Sequence, residues 1–217
     1  MVTQKHLIGI FTRDDQTFYD WLSRTLAAFP AVQDVRSVYI HNDRFVQFSE
    51  EVSKCTFAIL YHTNNRGRIN VCDVQDSLYD TELEYLYTIY GKNKVLVVID
   101  DVEDSSFDMK TRILTQQPSI SRWASDLFLF SNEEKNSLSQ SFRIRPWAEH
   151  YQNTNATSSI QGKLGDMQRL IQGITDYTYE HVDYHTPPVC TKKTIAFLLA
   201  IVIIFAIIFP VSIYAQS

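Results

Sequence analysis

The residues with chemistry to offer gather in three short segments. Thr12-Arg13-Asp14-Asp15-Gln16-Thr17 sets a guanidinium beside two carboxylates. It has no glycine to let backbone amides close on a phosphate, which speaks against FMN and nucleoside triphosphates in their usual binding modes. His62–Ser77 (HTNNRGRINVCDVQDS) carries Arg66 and Arg68 on either side of Gly67. That pair suits an anionic ligand or an acidic partner, with a solvated surface loop as the competing reading. Asp100-Asp101-Val102-Glu103-Asp104 groups hard oxygen ligands fit for a divalent cation, or serves as solvated loop acids and helix caps. Arg13, Asp14, Arg66, Arg68, Asp100 and Asp101 are therefore the candidate ligand or partner contacts. No metal is expected, since His181, His185 and Cys190 lie in a Pro-containing stretch without an evident fourth ligand.

These segments matter because of the elements they follow. Five short apolar runs, Leu7–Phe11, Val35–Ile40, Thr56–Tyr61, Val95–Ile99 and Asp126–Phe130, are rich in β-branched and aromatic residues, as strands buried on both faces should be. Amphipathic stretches alternate with them: Phe18, Trp21, Leu22, Leu26 and Phe29 behind Asp14 and Asp15, then Phe45, Phe48 and Val52, then Leu83, Leu86 and Ile89 before Gly91, then Met109, Ile113 and Leu114 behind Ser105-Ser106. A last helix is expected over Ile160, Leu164, Met167, Ile171 and Ile174, packed on the sheet or extended as a coiled-coil stalk. Strand alternating with helix implies an α/β fold: a five-stranded parallel sheet, covered on both faces, in the flavodoxin-like order 2-1-3-4-5. Ligands of such sheets bind beyond the carboxyl ends of the strands, where the three polar segments lie. A phospho-acceptor domain would want aspartate at the end of the third strand, and Tyr61, His62 and Thr63 stand there instead. Residues 131–159 read as a long polar loop inside a domain spanning 1–176.

Residues 177–193 form a polar tether, and Thr194–Ala215 (TIAFLLAIVIIFAIIFPVSIYA) runs without a charge. At a helical rise it reaches about 33 Å, enough to cross a hydrocarbon core of about 30 Å. Lys192 and Lys193 precede it and no basic residue follows, which places the N-terminal side in the cytosol. The N-terminus lacks a basic, apolar leader. The expectation is a tail-anchored, single-pass protein of an intracellular membrane, with the endoplasmic reticulum or secretory pathway favoured over the mitochondrial outer membrane. Cys190 beside the span is a candidate for palmitoylation, and three sparse cysteines suit a reducing compartment. A net charge of -5, with Lys and Arg spread thinly, leaves no basic face for nucleic acid.

Over roughly residues 5–130 the element order resembles Toll/interleukin-1 receptor (TIR) domains. The resemblance rests on GIFTRDDQTFYDWL, on SEEVSKCTFAILY, on a third helix opening near Glu82-Leu83, and on VLVVIDDV. TIR domains commonly carry W-C-x-x-E-L at that helix; here Leu78 and Tyr79 replace the first pair while Glu82 and Leu83 match. The R-D-x-x-P-G loop of many members is absent, because His41-Asn42-Asp43-Arg44 has neither the proline nor the glycine. The resemblance implies a signalling or scaffold module that recruits protein partners or self-associates and needs no cofactor. It also implies an alternative, cleavage of NAD with Glu82 as catalyst, a carboxylate able to stabilise an oxocarbenium-like state. Against that alternative stands Glu82 as a solvated first-turn acid favouring the helix dipole. On that reading Glu82→Ala leaves the fold largely intact.

Overall fold

The computed structural model describes residues 5–143 and 155–173. Five strands, β1 (His6–Thr12), β2 (Val32–Tyr39), β3 (Phe57–Thr63), β4 (Val95–Val102) and β5 (Asp126–Ser131), pair in parallel in the order β2-β1-β3-β4-β5. This is the flavodoxin-like α/β arrangement expected from the sequence. The helices between them are α1 (Gln16–Ala27), α2 (Phe45–Ser53), α3 (Asp80–Tyr90), α4 (Phe107–Gln116) and α5 (Pro118–Trp123). After β5 come α6 (Asn132–Arg143) and α7 (Asn155–Ile171). Thr194–Ala215 lies outside the described residues, as do Ile174, His181, His185 and Cys190. Among the described residues no helix is long and apolar enough to cross a membrane.

The period-2 alternation of the strands builds two cores. Ile8, Ile10, Ile59, Tyr61, Leu96, Val98, Phe128 and Phe130 turn to one face, where Tyr19, Leu22 and Leu26 of α1 meet Ile160, Leu164, Met167 and Ile171 of α7. Phe11, Val38, Ala58, Leu60, Val97, Ile99, Leu127 and Leu129 turn to the other, under α2, α3, α4 and α5. The four buried residues of α7 stabilise that layer by about 1.5–3 kcal/mol each, which explains why the 4, 3, 4 spacing packs against the sheet. Gly9 belongs to the second face. A Cβ there would stand 2.5 Å from the Phe11 ring and 3.0 Å from Cys55 Sγ, so only glycine fits without shifting the core.

The polar segment 131–159 is not one loop. Asn132–Arg143 is helical and α7 already begins at Asn155. The reason is a capping box: Ser131 Oγ accepts from Glu134 N at 3.3 Å, while Glu134 Oε2 accepts from Ser131 N at 2.9 Å. Few apolar residues mark α6, so hydrophobic spacing alone does not reveal it.

Candidate functional site

The sheet order reverses between β1 and β3, and at this switch point Arg13, Asp14, Arg66 and Glu82 come together. Asp15 caps α1, accepting from Thr17 N at 2.9 Å. Asp14, one residue earlier, turns inward and is buried. Its Oδ2 accepts from Thr63 N at 3.1 Å and from Thr12 Oγ1 at 3.2 Å, and its Oδ1 pairs with Arg66 Nε. Arg66 also donates to the carbonyl of Arg13. Arg13 in turn donates from Nη2 to Glu82 Oε1 at 2.7 Å, from Nε to Leu78 O at 3.0 Å, and to Asn42 Oδ1. The Arg13 amide donates to the hydroxyl of buried Tyr79 at 3.1 Å, and burial pushes that phenol up to about 12. Glu82, Arg13, Arg66 and Asp14 thus form a continuous chain of charge across the ends of β1 and β3.

Glu82 corrects one expectation from the sequence. It is only 9% exposed, so it is not a solvated first-turn acid. Its side chain and that of Arg13, 11% and 13% exposed, close on each other. An open groove borders Arg13, and a second adjoins it through Tyr39 and His41. One, of about 340 Å³, is bordered by Arg13, Tyr39, His41, Asn42, Arg66 and Leu78, among others. The second, of about 200 Å³, runs along Ser37, Tyr39, Arg44, Gln47 and Glu51. Glu82 borders neither. Both arginines that border the first groove are already paired with carboxylates, Arg13 with Glu82 and Arg66 with Asp14, which offsets their positive charge.

Asp100 and Asp101 correct a second expectation. They are not loop acids; both sit within β4 and are buried. Asp100 Oδ2 accepts from Trp21 Nε1 at 2.8 Å and from Tyr61 Oη at 2.9 Å. Asp101, at a positive φ of 58°, accepts from Thr63 Oγ1 at 2.6 Å and Asn65 Nδ2 at 2.8 Å. Lys135 of α6 reaches both carboxylates, at 3.0 Å from Asp100 Oδ1 and in contact with Asp101. Burial raises the pKa of Asp100; Lys135 opposes that rise and the neighbouring charge of Asp101 adds to it. With lysine, indole, phenol and hydroxyl donors occupying these oxygens, the pair is a closed network. Among the described residues no group of three or more His, Cys, Asp or Glu side chains could hold a metal ion.

Thr63 joins the halves, giving its amide to Asp14 and its hydroxyl to Asp101. Arg68 stands apart, in an exposed pair with Asp76 at 3.0 Å. The segment that carries Arg66 is held from beneath: buried Gln117 accepts from Val71 N and Cys72 N at 3.0 Å each and donates to Ile69 O at 3.1 Å. His62, fully buried, donates from Nε2 to Arg68 O at 3.0 Å. Burial holds its pKa below the ordinary value, opposed by the hydrogen bond to Arg68 O. Lys135, Thr63, Tyr61, Trp21 and Asn42 were not among the site residues expected from the sequence. Only the Ser131-x-x-Glu134 capping box, which starts the helix bearing Lys135, was a readable signal for any of them. No family model, curated protein or solved structure matches the chain.

Proposed function

We propose that the chain is a membrane-attached interaction module: an α/β domain with TIR-like element order, held at an intracellular membrane by Thr194–Ala215, that recruits protein partners or associates with its own copies without a cofactor. One observation carries the non-enzymatic reading. The carboxylate that the TIR resemblance nominates for catalysis, Glu82, is buried against Arg13 at 2.7 Å and borders neither groove. A catalytic carboxylate must reach substrate, and this one is spent on bracing the β1–α1 loop against α3. Exposed apolar side chains beside the grooves, Tyr39, Phe45 and Val46, support a surface built for contact.

The alternative is NAD cleavage through Glu82, which would require Arg13 to swing away. One experiment separates the two. The full-length chain, clustered on liposomes, is incubated with NAD and its products are analysed beside Glu82→Ala. The expected result is no turnover by either protein. Turnover by wild type that vanishes in Glu82→Ala makes the chain an enzyme. The membrane assignment is checked in cells by carbonate extraction: the full chain stays with membranes, and a chain ending before Thr194 is released.

A further inference from the structure

The sheet ends on β2, and among the described residues nothing pairs with its outer edge. Gln33, Asp34, Ser37 and Tyr39 are exposed along it, whereas at the opposite margin Leu127–Phe130 of β5 are buried. An open eight-residue edge is a row of unpaired donors and acceptors, and folded proteins normally blunt such rows. Its hydrogen-bonding parity can be read off. Ile40 N donates to Thr12 O at 2.7 Å, so from Asp34 onward, past the register shift at the start of the strand, the even-numbered residues of β2 turn their backbone groups toward β1 and the odd-numbered ones outward. Val35 agrees, because its N–H is met not by β1 but by the neighbouring Asp34 Oδ1 at 2.9 Å.

We propose that β2 is a docking edge for a second copy of the chain, pairing antiparallel with its own counterpart so that Val35 faces Val35 of the second copy and Asp34 faces Arg36. This rests on the self-association half of the function proposed above and names its surface. The register follows from charge. Among two-fold antiparallel registers, those centred on Asp34, on Val35 or on Arg36 set charged residues of this strand opposite one another, and each lets outward-pointing odd residues meet. Centring on Asp34 opposes two aspartates, and centring on Arg36 opposes two arginines; like charges directly across a ladder repel. Centring on Val35 sets Asp34 opposite Arg36 twice by symmetry, in the non-hydrogen-bonded positions where facing side chains come closest.

The free chain holds this edge in check. The Asp34 carboxylate covers the Val35 amide, and Arg36 is drawn aside to Glu51 of α2 at 3.2 Å. Docking exchanges both contacts for intermolecular ones: the Val35 amide passes to a carbonyl of the second copy, and Asp34 is released toward the opposing Arg36. Because contacts are exchanged more than gained, pairing is weak in dilute solution and favoured by crowding in a plane.

The test uses the full-length chain in lipid vesicles, with the dimer fraction read by energy transfer between labelled copies. Asp34→Lys alone and Arg36→Glu alone each oppose like charges and should each lower self-association about tenfold or more. An equimolar mixture of the two variants restores both attractive pairs and should recover wild-type association. A carbodiimide should then join the amine introduced at position 34 of one copy to the carboxylate introduced at position 36 of the other, identified by peptide mass. Val35→Pro, which removes an outward amide and leaves the β1 ladder intact, should abolish pairing with little change in thermal midpoint. If the variants associate like wild type, or mixing fails to restore pairing, this edge is not the interface, although association through another surface still stands. If wild type itself stays monomeric in vesicles, the self-association reading falls with it.

Discussion

Glu82 and Arg13 show what a single residue contributes here. Each belongs to a loop or a first helical turn where sequence alone suggests solvation, yet each is nearly buried. Removing one partner of a buried pair leaves the other uncompensated, which costs about 3–5 kcal/mol when no substitute is available. Arg13 keeps the Leu78 carbonyl and Asn42, so Glu82→Ala is expected to destabilise by about 2–3 kcal/mol. Urea denaturation measures it, and a double-mutant cycle with Arg13→Ala should show clear non-additivity. This reverses the sequence-based expectation that Glu82→Ala is harmless to the fold. A cost within about 0.5 kcal/mol would mean that the pair is as dispensable as a surface one.

At the scale of elements, α6 is held by its polar residues. Glu134 receives Lys163 Nζ at 2.8 Å, Ser159 Oγ at 2.6 Å, Ser105 Oγ at 2.9 Å and Ser131 N at 2.9 Å, so one carboxylate ties α6 to α7, to the loop after β4 and to the end of β5. Burial opposes its charge, but the hydrogen bonds from Lys163, Ser159 and Ser131 outweigh burial and hold its pKa below the ordinary 4.5. A carboxylate depressed in the folded state contributes stability that is complete above its unfolded value and is lost as pH falls through the folded one. Glu134→Ala should therefore cost about 2–3 kcal/mol at neutral pH, and the difference from wild type should shrink as pH drops below about 4.5. Amide hydrogen exchange in the variant should accelerate first in α6 and in the N-terminal turns of α7. Uniform acceleration through the sheet would show that Glu134 is no local latch.

At the scale of the whole molecule, two apolar faces enclose the sheet, and β2 lies at its margin with exposed side chains along it. The proposed membrane anchor would confine copies to a plane, which raises their effective concentration without adding a contact. Association that only exchanges internal bonds for intermolecular ones should therefore depend on that confinement. The expectation is energy transfer between full-length copies in vesicles, growing with surface density. A chain ending before Thr194 should sediment as a monomer at micromolar concentration. Equal association of both forms would separate self-assembly from the membrane.

The local code determined the architecture. Nearly continuous β-branched and aromatic runs could satisfy their backbones and bury both faces only as strands of a parallel sheet, and the 4, 3, 4 spacing of Ile160, Leu164, Met167 and Ile171 marked the helix beneath it. Where periodicity was faint, as in α6, the sequence read as a loop, because the helix is marked by the Ser131–Glu134 capping box and not by apolar spacing. The site was legible as residue types but not as a circuit. Arg13 meets Glu82 across 69 positions, and Asp14 meets Thr63 across 49. Whether a carboxylate is solvated, catalytic or spent on an ion pair is decided by which groups the folded chain brings within about 3 Å of it. No local pattern encodes that distance, so only the tertiary structure set Glu82 against Arg13 and Asp100 and Asp101 against Lys135, and only it placed Asp34 and Arg36 on a strand at the margin of the sheet.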